Sequence, residues 1–251
     1  MGVDATSVGE GVPHERSHRA LVVAHEADGP GGEVARQLQR RGYTVDTHVV
    51  TSEPDQPNVA APFPDWNAYD LVALMGSIRS LTQKEEISGW VFDELELIRE
   101  AAANDQPILG ICFGGQLIAD AMGGSVEVSP VTELGWYEIG SPNGVRNPVG
   151  AGPWMQWHHD RFTPPPGAEV LATTGVGPQL FTLGRMAGTQ FHPEVDVTHI
   201  ERWLVGSEDD YLAAHGQDRH RLLAAARENE SQSIDGCRRL VDWFLDEVAK
   251  L

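Results

Sequence analysis

Apolar and polar positions fall into blocks that separate strands from helices along the chain. Residues 20–25 form an unbroken apolar run, as expected of a strand covered on both faces. Residues 31–41 carry helical spacing, and 43–50 alternate as a second strand. A strand, a helix and a strand in succession predict a parallel pair joined by a crossover. A loop rich in Pro and Asp over 51–65 leads to a third strand at 69–75, which stops at Gly76. Residues 85–103 are expected to form one helix, with Ile87, Val91, Leu95 and Ile98 on its apolar face. Residues 108–111 form a short apolar strand, followed after Cys112 by a helix over 113–122 that ends at Gly123 and Gly124.

The pattern then changes. Between 125 and 183, short alternating runs cut by Gly and Pro predict antiparallel strands and hairpins laid on one side of the core. The core resumes at 186–191, leaving His192 just past a strand end. A short helix is expected at 198–204, and one or two more over 208–251, burying Leu212, Leu222, Leu223, Leu240, Trp243 and Phe244. The fold class is therefore α/β: an open, mostly parallel sheet with helices on both faces, plus a small antiparallel region. Residues 1–18 read as a polar tail, 19–205 as one α/β domain, and 206–251 as a helical extension packed on it.

Candidate chemistry sits at strand ends. In Pro-Ile-Leu-Gly-Ile-Cys-Phe-Gly-Gly-Gln (107–116), an apolar strand breaks at a thiol and small residues follow at once. This is the cysteine counterpart of a nucleophile elbow, a tight turn that lifts its side chain out of the sheet edge. A helix N-terminus beside Cys112 favours the thiolate, the reactive form. Eighty residues on, Gly-Thr-Gln-Phe-His-Pro-Glu-Val (188–195) offers His192 as a base and Glu194 as the group that orients it. The backbone N–H of Phe113, directly after the thiol, is a candidate oxyanion donor. Gly76, Cys112 and His192 all fall at carboxyl ends of predicted strands, where open α/β sheets place their ligands.

Composition narrows the classes. With 37 acidic and 18 basic residues the net charge is −19, which repels phosphate backbones and anionic lipid and argues against nucleic-acid or membrane-surface partners. No apolar stretch is long enough to cross a bilayer, and the first ten residues lack the basic and apolar regions of a secretory leader, so the expected location is the cytoplasm. Two cysteines, Cys112 and Cys237, make no disulfide framework, and Cys237 reads as a packing residue of a C-terminal helix. His158 and His159 point to opposite faces if they lie on a strand, so His158-His159-Asp160 is not expected to hold a metal. Asp28-Gly-Pro-Gly-Gly-Glu lacks the Gly-Lys-Ser/Thr ending of a phosphate loop and reads as a turn opening a helix. No cofactor is expected.

Gly-Ile-Cys-Phe-Gly-Gly-Gln together with Gln-Phe-His-Pro-Glu resembles the class I glutamine amidotransferases, which carry a Cys-His-Glu triad on a flavodoxin-like sheet. Leu-Gly-Trp-Tyr-Glu-Ile (134–139), Trp-His-His-Asp-Arg-Phe (157–162) and Pro-Pro-Gly-Ala-Glu-Val-Leu-Ala (165–172) resemble the GMP synthetase glutaminase branch. The resemblance covers roughly residues 20–205. It implies Cys112, His192 and Glu194 as the triad, the Ser77 N–H as second oxyanion donor, and Gly76 and Gln116 beside the substrate. It further implies glutamine or a γ-glutamyl conjugate as substrate and, for an amidotransferase, a separate ammonia-accepting synthetase subunit. Alternatives are a γ-glutamyl conjugate hydrolase and a silent regulatory subunit. Two positions depart from the family. Leu-Met-Gly-Ser-Ile (74–78) stands where Gly-Gly-Pro is common, and a serine there is expected to restrict the oxyanion loop because it tolerates positive φ poorly. Gly115 stands where members usually carry histidine, which bears on local packing or partner contact.

Overall fold

The computed structural model describes residues 18–251 apart from Pro54; the tail expected over 1–18 lies, but for His18, outside the described residues. Nine strands and six α-helices follow in order: β1 (Arg19–Glu26), α1 (Gly32–Arg40), β2 (Thr44–Thr51), β3 (Leu71–Leu74), α2 (Val91–Ala103), β4 (Ile108–Ile111), α3 (Phe113–Ala121), β5 (Ser125–Tyr137), β6 (Trp154–Thr163), β7 (Glu169–Thr173), β8 (Pro178–Leu183), β9 (Met186–Thr189), α4 (Val197–Gly206), α5 (Asp209–Ala214) and α6 (Arg219–Trp243). The seven-stranded sheet has the order β2-β1-β3-β4-β9-β8-β7. From β2 to β9 every pairing is parallel, and β8 and β7 close the far edge antiparallel. The fold class is as the hydrophobic pattern predicts.

Strand alternation sorts the core into two faces. Ala20 and Val22 of β1 join Val34 and Leu38 of α1 and Leu240 of α6 in one cluster, whereas Leu21 and Val23 join Leu95 and Ile98 of α2 and Leu117 of α3 in the other. Phe244, in the π-helical turn that continues α6, completes the first cluster. A satellite cluster around Leu134, Met155, Ile200, Leu212 and Leu222 joins α4, α5 and α6 to the β5–β6 hairpin, with Leu223 at its edge.

Two elements differ from the sequence expectation. The helix expected over 85–103 begins at Val91, because 3₁₀ turns over Leu81–Ile87 are interrupted by non-helical Gln83. Among the described residues only the β5–β6 hairpin stands apart as a two-stranded sheet; β7 and β8 add to the main sheet instead of lying over it. Their inner residues Ala172, Leu180 and Phe181 are fully buried, and that burial makes them core strands.

The elbow after β4 is set by close backbone approach. A Cβ on Gly110 would lie 2.5 Å from the Gly114 carbonyl oxygen, and one on Gly114 would collide with the Leu74 carbonyl. Helix α3 thus presses its first turn onto β3. A Gly114→Ala variant is expected to lose about 1–3 kcal/mol or more of stability, since backbone must move to admit the methyl. Chemical denaturation checks this, and an unchanged midpoint would show the contact to be slack.

Candidate functional site

At the elbow Cys112 adopts φ 51° and ψ −106°, a positive φ that an L-residue adopts only where its surroundings fix it. Its N–H donates to Thr189 O on β9 at 2.8 Å, and the Gly114 N–H donates to Met75 O past β3 at 3.1 Å. The turn is thereby tied to both neighbouring strands. The thiol sits before the first turn of α3, where orphan N–H groups favour negative charge.

His192 arrives from the other side. Past β9 its N–H donates to Met155 O at 2.9 Å, so the β5–β6 hairpin fixes its backbone. Nδ1 faces Glu194 Oε1 at 2.7 Å, with both residues buried. That leaves Nε2 buried and without a hydrogen bond among the described residues. A Cβ built on Gly76 would lie 3.0 Å from His192 Cε1 and 3.9 Å from Cys112 Cβ, so three separated segments meet at one sheet edge. Burial by itself would lower the imidazole pKa, but the charges of Glu194 and Cys112 outweigh it and hold His192 well above the usual 6.5.

Glu194 is seated by the Asp28-to-Glu33 turn. The Glu33 N–H donates to Glu194 O at 2.9 Å, and Gly32, at φ +49°, lies so close that any Cβ would collide with that carbonyl. The segment opens a helix as expected, and its glycine serves the close approach of Glu194.

Ser77 does not adopt positive φ. Its hydroxyl instead donates to Glu26 Oε1 at 2.8 Å and accepts from the Arg79 N–H at 3.0 Å. The Ile78 N–H reaches Glu26 Oε2 at 3.4 Å. Burial pushes the Glu26 carboxyl up, a shift tempered by His25 and by the Ser77 hydroxyl. At Gly115 a Cβ would collide with Thr189 O, so the histidine usual in the family has no room against β9. Phe113 opens α3, where no intrahelical acceptor exists for its N–H. Gln116 is buried and donates to Gln190 Oε1 at 3.4 Å.

Sequence reasoning missed four neighbours. Gln190 Nε2 donates to Cys112 Sγ at 3.7 Å, linking Gln116 to the thiol. Its position two residues before His192, in the same segment, was the available signal. Trp203 of α4 packs edge-on against the His192 ring at 4.9 Å, a contact made by tertiary packing alone. His25 and Glu94 form a buried pair behind Gly76. Glu94 was legible as a charge three residues past Val91, on the face of α2 that the apolar spacing buries. His158 is buried and His159 exposed, as strand alternation requires; His158 bonds to Gln156 and Glu133. Among the described residues no cluster of three or more His, Cys, Asp or Glu is arranged to hold a metal, and no helix is long and apolar enough to cross a membrane.

The sequence model of the family described as glutamine amidotransferase class-I matches residues 31–205, which include every one of these converging segments except β1. The chain belongs to the class-I glutamine amidotransferase family. It is 29% identical over 243 residues to the glutamine amidotransferase-like protein YfeJ of Salmonella typhimurium, spanning 92% of this chain and 97% of that one. It is 40% identical over 125 residues to a GMP synthase of Thermus thermophilus, spanning 43% of this chain and 24% of that protein. The crystal structure of a glutamine amidotransferase from Thermotoga maritima aligns with a TM-score of 0.78 at 26% identity, covering 93% of this chain and all 100% of that one.

The raised imidazole carries a prediction. Glu194→Gln removes the neighbouring carboxylate, so His192 should titrate at lower pH, read by NMR of its ring nitrogens. A raised folded pKa contributes stability that is complete below the unfolded value and is lost as pH rises through the folded one. The stability gap between wild type and Glu194→Gln should therefore narrow as pH climbs above 6.5. A gap that widens there would contradict the charged pair.

Proposed function

We propose that this protein is a glutaminase that hydrolyses the side-chain amide of glutamine to glutamate and ammonia through a thioester on Cys112. The observation that carries the reading is the meeting of an elbow thiol with the buried His192–Glu194 pair at the carboxyl edge of the sheet. In this reading His192 takes the proton of the Cys112 thiol, the Sγ thiolate attacks the amide carbon, and the resulting oxyanion accepts hydrogen bonds from the N–H groups of Phe113 and Ser77. Each such donor is worth ~3 kcal/mol in acyl transfer. The His192 imidazolium protonates the departing nitrogen, ammonia leaves, and a γ-glutamyl thioester remains. Water then attacks the thioester with His192 as base, releasing glutamate and restoring the thiol. Glu194 holds the ring in one orientation and stabilises its charge. Gly76 keeps the approach to Cys112 and His192 clear of any side chain, and Gln116 acts through Gln190 on the thiol's surroundings. The GMP synthase relative supports glutamine as the donor, and its matched part is 24% of that protein. In this reading the ammonia made here passes to an acceptor-activating synthetase.

Release of ammonia and glutamate from glutamine, beside a panel of γ-glutamyl peptides and amines, tests the reading in wild type and Cys112→Ala. Glutamine turnover that falls by at least about 10⁴-fold in Cys112→Ala is the expected result. Turnover confined to the conjugates would make the protein a γ-glutamyl hydrolase. Silence on every substrate, with Cys112 inert to alkylation, would leave a regulatory subunit.

A further inference from the structure

Behind the proposed oxyanion hole lies a second buried histidine–carboxylate pair that the hydrolysis does not itself use. His25, at the end of β1, and Glu94, on α2, are both 0% exposed. His25 Nε2 lies 3.2 Å from each carboxylate oxygen of Glu94, and Nδ1 lies 3.2 Å from the carbonyl oxygen of Gly76. Both neighbours are hydrogen-bond acceptors, and a neutral imidazole carries only one N–H. The ring satisfies both when each nitrogen bears a hydrogen, with the Glu94 carboxylate compensating its charge. Burial alone would disfavour that charged ring, yet Glu94 outweighs it and draws the pKa of His25 upward.

Both the backbone and the ring of His25 are held. The Thr51 hydroxyl donates to the His25 carbonyl at 2.8 Å. Trp90 packs against the imidazole at 5.6 Å, and Phe113 meets it edge-on at 4.8 Å. Phe113 carries one of the two proposed oxyanion donors, and Gly76 shares a peptide unit with the other. In a trans peptide the carbonyl and the N–H point in opposite directions. A Gly76 carbonyl turned toward His25 therefore fixes the direction of the Ser77 N–H, on the side away from β1. A reversed peptide would present a carbonyl dipole where an N–H is needed. The next residue of β1, Glu26, grips the other end of the same loop through the Ser77 hydroxyl and the Ile78 N–H.

We propose that His25 is a positioning residue for the oxyanion hole: backed by Glu94, it pins the Gly76 carbonyl and so presents the Ser77 N–H to the substrate. The assignment rests on Cys112 being the nucleophile of an acyl transfer. His25 touches no reacting atom in it.

Two amide replacements separate this role from general support of the fold. In His25→Asn the side-chain nitrogen falls near the place of Nδ1 and keeps a donor for Gly76. In His25→Gln it falls near the place of Nε2, and that donor is lost. Glutamine hydrolysis should show kcat within about tenfold of wild type for His25→Asn and lowered about 10²- to 10³-fold for His25→Gln, the loss typical of one oxyanion donor. KM should stay within about threefold in both. Alkylation of Cys112 by iodoacetamide forms no oxyanion, so its rate should be close to wild type in both variants.

Equal kcat losses in the two variants, or alkylation slowing in step with kcat, would reduce His25 to a packing residue and overturn the role. Should His25→Gln fail to fold cooperatively, the double variant His25→Leu with Glu94→Gln supplies the second comparison: it removes the donor to Gly76 without leaving a buried charge unpaired, and kcat should fall with KM and alkylation unchanged. A double variant of unaltered kcat would overturn the role equally. A wild type without Cys112-dependent turnover would sink the acyl-transfer reading and this role together, whereas the variant results strike the role alone.

Discussion

The backbone at Cys112 is the constraint on which the rest of the site depends. A non-glycine residue at φ 51° costs about 1–3 kcal/mol and persists only where its surroundings over-determine it. Here they do so through glycines. Gly110 and Gly114 let the first turn of α3 lie directly on the backbone of β4 and β3, and Gly115 lets it lie on β9. The Cys112 and Gly114 N–H groups complete the clamp on Thr189 and Met75. The thiol therefore stands at the head of a helix, between the ends of two strands that carry its partners. Separation of β3 from β9 would release the strain and scatter the site.

Around that point the structure spends buried charge sparingly and always with a partner. His192 faces Glu194, His25 faces Glu94, and Glu26 is satisfied by the Ser77 hydroxyl and a backbone amide. Such pairs are weak sources of stability, because removing two charges from water offsets much of their attraction. Their value here is positional. Each ties an element that carries chemistry to one that carries none: the His192 segment to the opening of α1 through Glu194, and the Gly76 loop to β1 and α2 through His25. The β5–β6 hairpin contributes in the same way, holding the His192 backbone through Met155.

Much of this was legible before any coordinates. Unbroken apolar runs marked β1, β3 and β4, and the break at Cys112 marked the elbow, because a two-sided core and a tight turn leave local signatures. His192 and Glu194 were legible for the same reason, lying just past a strand end in one short segment. Tertiary contact was not legible. Nothing near Trp203 in the chain foretells that its ring packs on His192, and nothing near His25 foretells that its partner is Glu94, 69 residues away. The start of α2 at Val91 was obscured because the 3₁₀ turns before it share its apolar spacing. The Ser77 hydroxyl finds its acceptor in Glu26, a partner 51 residues away that nothing beside the serine marks.

We propose that this backbone arrangement makes Cys112, and not Cys237, a nucleophile addressed to a glutamine-shaped carbonyl. Both thiols are buried, and burial pushes the Cys237 thiol well above its ordinary pKa among apolar neighbours of α6. The most direct measurement is peptide mass spectrometry of the protein after incubation with a chloroketone analogue of glutamine, with and without competing glutamine. The account predicts one equivalent of label, confined to Cys112 and suppressed by glutamine. Label on Cys237, label indifferent to glutamine, or no label on folded protein would contradict it.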